Sequence, residues 1–159
     1  TGAAVGPLVN AAAVEKVDEL VQEAVARGAR VVVGGQAGEG PGFYYRPTVL
    51  ADVPVDAQIA GEEIFGPVAP VIAFDTDDEA IALANDTEYG LVSYVFSQDL
   101  ARALRVSEAL ESGMVGINRG VVSDPAAPFG GVKQSGIGRE GGHEGLLEYT
   151  ESKYIAVDW

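Results

Sequence analysis

One short segment places two acids and an aromatic residue between apolar runs. Residues 61–67 read GEEIFGP, so Glu62, Glu63 and Phe65 lie within four positions of one another. A carboxylate offers only acceptor oxygens, which suits Glu63 to a ligand with paired hydroxyls such as a ribose. The ring of Phe65 offers a flat apolar face beside it. This combination predicts a site for a nucleotide sugar and its ring, whereas Glu62 is expected to be a solvated or helix-capping acid.

A second segment is rich in glycine. Residues 128–140 read PFGGVKQSGIGRE and lie within a longer stretch, 119–145, that shows little periodicity. Long stretches without regular structure inside compact domains are usually functional, although a glycine-rich surface connection is the alternative. Residues 136–141 also fit the GxGxxG pattern, but they lack the preceding strand, the following helix and the distant acid of a dinucleotide fingerprint. We therefore assign no such fingerprint, and we expect Lys133 and Arg139 to shape the loop.

Both segments resemble signatures of the aldehyde dehydrogenase superfamily. Residues 61–67 are similar to its EEIFGP motif, and residues 128–140 match its PFGGxKxSGxGRE loop at every fixed position. The order and spacing of the two motifs extend the resemblance over essentially the whole chain. In that family the second Glu of the first motif holds the nicotinamide ribose, and the Phe lies against the nicotinamide. The resemblance implies that Glu63 and Phe65 bind NAD or NADP.

A serine ahead of the second motif is a candidate for substrate binding. Ser123 precedes Pro128 by five residues, as in the succinate-semialdehyde dehydrogenases, the group that the chain resembles within the superfamily. There the serine hydrogen-bonds the substrate carboxylate beside an arginine from an earlier part of the chain. The resemblance implies this role for Ser123, and an ordinary loop hydroxyl is the alternative. Arg119 differs from the residues expected between Asn118 and Gly120, at the mouth of that pocket.

The sequence contains no cysteine. That absence excludes disulfides, thiolate metal sites and a cysteine nucleophile from these residues. Aldehyde dehydrogenases attack the aldehyde with a cysteine thiolate, pass a hydride to NAD(P)+ and hydrolyse the thioester with a glutamate base. The family's cysteine, base and Rossmann-type cofactor domain all precede the matching region. We therefore expect a C-terminal part of such an enzyme, without a catalytic residue and inactive alone. The alternative is a non-catalytic oligomerising or regulatory module.

Composition limits the partners. The 159 residues carry 24 acids against 10 bases, a formal net charge of −14 at pH 7. Such a field repels phosphate backbones and anionic lipids, which argues against nucleic acid and membrane partners. The longest apolar runs are too short to span a bilayer and no signal-like N-terminus is found, so a cytoplasmic location is expected. The expected partners are the aldehyde and either further copies of the chain or the missing N-terminal part of the enzyme.

Helical patterns alternate with short strand-like runs along the chain. An amphipathic helix is predicted from the cap Asn10 to Gly28, and further helices follow a capping box at Thr76 and a cap at Ser97 or Asp99. Strands are predicted, in chain order, over residues 29–33, 43–50, 68–74, 89–96 and 114–118. This order predicts an α/β fold with a mixed, mostly parallel sheet and flanking helices.

The tail of the chain predicts one more strand. Side chains alternate from residue 147 to residue 159, and no partner strand is obvious within the chain. In the family the closing strand joins the oligomer interface. We therefore expect residues 1–146 to form a partial catalytic domain and residues 147–159 to form a C-terminal oligomerisation strand. This strand would pair between subunits, because an unpaired strand edge invites association.

Overall fold

The computed structural model describes residues 5–159, so the first four residues of the predicted domain 1–146 lie outside the described part of the chain. The chain divides into two compact units. Unit 1 ends at Asp75, and unit 2 is Thr76–Trp159. Each unit combines helices with short strands and is described by itself.

Unit 1 begins with the helix that the sequence predicts. Helix α1 is Ala11–Ala26, and the Asn10 side chain caps it by accepting a hydrogen bond from the Ala13 amide at 2.9 Å. The helix is followed by Gly28, whose φ of 116° lies in the left-handed region that favours glycine. Apolar positions three and four apart turn one face of α1 inward: Val17, Leu20, Val21 and Ala24 are buried.

A three-stranded sheet lies against this face. Strands β1 (Arg30–Val33), β2 (Thr48–Ala51) and β3 (Val68–Pro70) are in the order β1-β2-β3, with β1 antiparallel and β3 parallel to β2. The predicted strand 43–50 starts only at Thr48, directly after Pro47, which has no N–H to pair. A short helix, α2 (Gln58–Gly61), follows β2. Leu50 of β2 is fully buried and, with Val53 and Ile59, completes the core around α1.

Unit 2 carries the remaining elements. Helix α3 is Asp77–Asn85, capped by the Thr76 hydroxyl, which accepts from the Glu79 amide at 3.2 Å as the capping box predicts. Helix α4 is Leu100–Ala109, and its cap is Asp99 rather than Ser97. The other elements of this unit, in chain order, are β4 (Tyr89–Gly90), β5 (Val92–Val95), β6 (Met114–Ile117), β7 (Val132–Lys133) and α5 (Glu144–Leu147).

The strands of unit 2 pair across long sequence distances. Strand β5 is parallel to β6, whereas β4 is antiparallel to β7. The predicted continuous strand 89–96 is therefore wrong in one respect, because it divides at Leu91 between two different partners. The stretch 119–145 is also more regular than predicted, since it contains β7, the start of α5 and a bridge between Phe129 and Glu140.

The predicted α/β class with flanking helices is confirmed. Within residues 5–159 the strands form three small sheets rather than one, with parallel pairs β2–β3 and β5–β6 and antiparallel pairs β1–β2 and β4–β7. The predicted tail strand does not begin at Leu147, which is the last residue of α5. Residues 151–159 have no regular secondary structure in the single chain and are exposed, so an oligomerisation strand in this tail stays a prediction.

Candidate functional site

Glu62 and Glu63 have different surroundings. Glu62 follows α2, where its amide donates to the Gln58 carbonyl at 3.1 Å and its Oε1 accepts from Gln58 Nε2 at 2.5 Å. It therefore serves as an acid at the helix end. The Glu63 carboxylate is exposed and has no hydrogen-bond or ion-pair partner in the described part of the chain. Its acceptor oxygens are thus available to a ligand.

Phe65 is held in an unusual backbone conformation. Its φ is +51°, in the left-handed region that bulky side chains rarely adopt. Such a conformation costs on the order of 1–3 kcal/mol and persists only where the surroundings enforce it. The ring is 80 % exposed, although a large apolar side chain gains stability from burial. Presenting this ring at the surface therefore lowers the stability of the fold.

Contacts with helix α1 hold the backbone on both sides of Phe65. Lys16 Nζ donates to the carbonyl oxygen of Glu63 at 2.6 Å. On the other side of Phe65, a Cβ at Gly66 would lie 2.6 Å from Val17 Cγ2, so only glycine allows the segment to approach the helix this closely. Two consecutive residues of α1 therefore hold the segment that carries Glu63 and Phe65.

A pocket of about 320 Å³ opens beside Phe65. Its walls are mostly apolar, and Lys16 is the charged residue among them: the lining consists of Pro7, Leu8, Val9, Ala13, Lys16, Ile64 and Phe65. An apolar wall with one cation fits a flat ring attached to a polar group. The sequence does not point to Lys16, because nothing in a helical pattern shows that a lysine will meet a carbonyl 47 residues further along the chain.

Ser123 lies in unit 2, on the segment that leaves β6. Asn118 ends that strand with a φ of +53°, and its side-chain amide binds both backbone groups of Ser97, accepting from the amide at 2.9 Å and donating to the carbonyl at 2.8 Å. Val122 packs over Gly116, where an added Cβ would lie 3.0 Å from Val122 Cγ1. Ser123 itself is exposed, and its hydroxyl has no partner among residues 5–159.

The glycine-rich loop is fixed by its own polar contacts. Phe129 and Glu140 exchange two backbone hydrogen bonds of 2.7 Å each. Arg139 Nη1 donates to the Gly131 carbonyl at 2.7 Å. Lys133 Nζ donates to the carbonyls of Asn85 and Thr87, at 2.8 and 3.1 Å, and pairs with Glu111. Lys133 and Arg139 therefore shape the loop, in agreement with the sequence prediction.

The shifted pKa values lie away from these residues. Hydrogen bonds from Arg102 and Arg105 lower the pKa of Asp77. Burial, together with the Asp18 carboxylate, raises the pKa of the Tyr45 phenol well above its usual range. Both groups are structural, since each binds within its own unit. Among residues 5–159, no group of three or more His, Cys, Asp or Glu side chains could hold a metal ion.

The structure brings two of the three predicted site residues together. Glu63 and Phe65 are on one strained turn of unit 1, and Ser123 is on a pinned segment of unit 2. An exposed carboxylate next to an exposed ring is suited to a nucleotide.

No helix within residues 5–159 is long and apolar enough to cross a membrane.

Comparison with known proteins defines the family. The sequence model described as "Aldehyde dehydrogenase family" matches residues 1–155. The chain therefore belongs to the aldehyde dehydrogenase family, a family of oxidoreductases, as its two motifs predict.

Several of the relatives carry a more specific name. The chain is 58 % identical over 153 residues to the succinate-semialdehyde dehydrogenase of Paenarthrobacter nicotinovorans, covering 96 % of this chain and 34 % of that protein. It is 50 % identical over 156 residues to the NADP(+) succinate-semialdehyde dehydrogenase GabD of Escherichia coli K12, covering 98 % and 32 %. The crystal structure of succinate-semialdehyde dehydrogenase from Burkholderia pseudomallei is similar with a TM-score of 0.90 and 51 % identity, covering 94 % and 31 %. The chain spans about a third of the length of the curated relatives it matches.

Proposed function

We propose that the chain is the C-terminal part of an NAD(P)-dependent aldehyde dehydrogenase that oxidises succinate semialdehyde to succinate. The observation that carries this proposal is the strained presentation of Phe65 beside the unpaired carboxylate of Glu63. The relatives named succinate-semialdehyde dehydrogenase support the choice of substrate.

The residues of the first motif fit a nicotinamide nucleotide. Two acceptor oxygens of Glu63 would bind the two hydroxyls of the ribose, because a carboxylate can accept from both at once. The exposed ring of Phe65 would lie against the nicotinamide, a contact between two flat apolar faces. When bound, NAD(P)+ supplies the hydride acceptor. The contacts of Lys16 and Val17 with this segment would fix the backbone at Phe65 before the nucleotide arrives, which reduces the entropy lost on binding.

Ser123 would recognise the far end of the substrate. Its hydroxyl has no partner in the described part of the chain, so it is free to donate to a carboxylate. Asn118 and Val122 fix the backbone on its N-terminal side, so that the hydroxyl is positioned before binding. Ser123 would thus bind the substrate and take part in no chemical step.

The bond-making group would come from outside these residues. The family's chemistry needs a cysteine thiolate, and the 159 residues contain no cysteine. We therefore expect the purified chain to form no NAD(P)H from succinate semialdehyde. Joined to the remaining two thirds of an enzyme of the relatives' length, it would complete an active site.

The experiment measures the formation of NAD(P)H from succinate semialdehyde by its absorbance in three samples. These are this chain alone, the remaining N-terminal two thirds of the enzyme alone, and both parts co-expressed. Activity only in the co-expressed sample supports the proposal, and Ser123→Ala should then raise KM for succinate semialdehyde. Clear activity from the isolated chain would show that the thiolate is not needed. A stable complex without activity would favour the alternative, a non-catalytic module that retains the fold.

The exposed tail supports an oligomer. Residues 151–159 have no regular secondary structure, and Tyr154 and Ile155 are exposed although both are large and apolar. We expect this tail to pair as a strand with another copy in the full-length enzyme. Light scattering should show a smaller assembly after deletion of the residues beyond Thr150. An unchanged assembly after that deletion would exclude the tail from the interface.

A further inference from the structure

Most cations of the chain are bound to acids, but Arg119 is not. Carboxylate partners are found for six of them: Arg27, Arg30, Arg46, Arg102, Arg105 and Lys133. The guanidinium of Arg119 is exposed and has no carboxylate partner among the described residues. Lys16, Arg139 and Lys153 also have no carboxylate partner among the described residues, but Lys16 and Arg139 donate to backbone carbonyls. In a chain with a net charge of −14, the exposed cation of Arg119 is a local positive site in an otherwise negative field.

The position of Arg119 is fixed at several points. It follows Asn118, whose side chain is clamped to both backbone groups of Ser97. Arg119 Nε donates to the Val121 carbonyl at 2.5 Å, which folds the side chain back along its own loop. Val122, the next residue, packs over Gly116. The guanidinium is therefore held against the same loop that ends in Ser123.

Only one of the donor groups of Arg119 is used in this contact. The guanidinium has five N–H donors, and the four on Nη1 and Nη2 have no partner within residues 5–159. Arg139, by contrast, donates from Nη1 to two carbonyls. The neighbouring acid Asp124 is already engaged, since its Oδ1 accepts from the Ala126 amide at 2.9 Å.

We propose that Arg119 determines specificity for aldehydes that carry a carboxylate at the far end, and that it acts together with Ser123. The inference rests on the proposed function, because it concerns the same substrate end. The paired donors of a guanidinium match a carboxylate, and the positive charge offsets the field that would repel an anionic substrate. Arg119 contributes binding and selectivity, and takes no part in hydride transfer.

The test compares two aldehydes of equal carbon count in the full-length enzyme. Succinate semialdehyde carries the carboxylate and butanal does not. We expect Arg119→Gln to lower the ratio of kcat/KM for succinate semialdehyde over butanal roughly fivefold to tenfold, mainly through KM, as for the loss of one charged contact. Arg119→Lys should retain part of the preference. Arg46→Gln, which removes another exposed arginine, serves as the matched control and should leave the ratio as it is.

Ionic strength provides an independent measurement. The KM of the wild type for succinate semialdehyde should rise with added salt, and it should rise less in Arg119→Gln, because an exposed charge is screened. An unchanged ratio in Arg119→Gln would overturn this inference, as would an equal loss with both aldehydes, which indicates a structural role. A wild-type enzyme that does not prefer succinate semialdehyde over butanal would refute the proposed function together with this inference. Preference in the wild type without an effect of Arg119→Gln would refute this inference alone.

Discussion

The two units differ in how they are stabilised. Unit 1 has a closed apolar core, a cluster of ten buried side chains between α1, the sheet and α2. In the described part of unit 2, Ala103 is the only apolar side chain of comparable burial. Polar contacts hold unit 2 instead, among them those of Lys133, Arg139 and Asn118. Unit 1 is therefore stabilised mainly by its apolar core, whereas the described part of unit 2 has few buried apolar side chains.

Both units expose large apolar side chains, and in unit 2 some of them lie close together in sequence. Phe96, Leu100 and Leu104 lie at or near α4 and are each at least half exposed. Large apolar patches on soluble proteins usually mark an interface. Because the chain spans about a third of its relatives' length, we expect the rest of the enzyme to cover this face. The exposure of these side chains thus agrees with a proposed function that needs further residues.

The largest effect should come from the core of unit 1. Leu50 is fully buried, so Leu50→Ala should lower the free energy of unfolding of unit 1 by roughly 2–5 kcal/mol. Leu104→Ala, the matched control in unit 2, should change the stability of the isolated chain by about 0.5 kcal/mol or less. Hydrogen exchange reports the two units separately. Equal losses from both substitutions would contradict the difference in burial.

A smaller loss of stability is expected when the polar contacts of Lys133 in unit 2 are removed. Lys133→Met removes the ammonium that binds two carbonyls and Glu111, and should cost about 1.5–3 kcal/mol. Lys153→Met, in the exposed tail, is the control and should have almost no effect. Denaturant unfolding measures both. If Lys133→Met were neutral, polar contacts would not be what holds this unit.

Unit 1 should lose stability in alkali. Burial and the Asp18 carboxylate raise the pKa of Tyr45 above that of the unfolded chain, so its neutral form stabilises the fold at lower pH. That contribution is lost as the pH rises beyond the ordinary tyrosine pKa of about 10. Tyr45→Phe should cost about 1 kcal/mol near neutrality and reduce the alkaline loss. Thermal unfolding of both proteins over this pH range provides the comparison, and identical alkaline profiles would refute it.

Unit 2 should lose stability in acid, and this is the smallest of the expected effects. The Arg102 and Arg105 hydrogen bonds lower the pKa of Asp77, so its ionised form stabilises the fold above the ordinary aspartate pKa. This contribution disappears as the pH falls below about 4 and through the lowered pKa. Asp77→Asn should therefore show a weaker acid dependence of urea unfolding than Asp78→Asn, its neighbour on α3. Equal dependence in the two variants would show that the ion pairs do not matter.

Local signals in the sequence predict their elements correctly. The caps Asn10 and Thr76 and the face of α1 depend on residues within one or two helical turns, and all are found. The division of strand 89–96 is not visible in the sequence, because it depends on partners that lie far along the chain in β6 and β7. The contact of Lys16 is not visible for the same reason. The motif that contains Phe65 was recognised, but its strained backbone could not be, since sequence does not show which surroundings enforce a positive φ.

The most direct test of the account compares two adjacent glutamates in the full-length enzyme. Fluorescence titration measures the Kd of NADH and NADPH for the wild type, Glu63→Gln and Glu62→Gln. We predict that Glu63→Gln weakens binding about tenfold, because the charged acceptor of the ribose hydroxyls is lost. Glu62→Gln should bind almost as the wild type does, since Glu62 contacts Gln58 at the end of α2. Equal affinities for Glu63→Gln and the wild type would contradict the assignment of Glu63 to the cofactor.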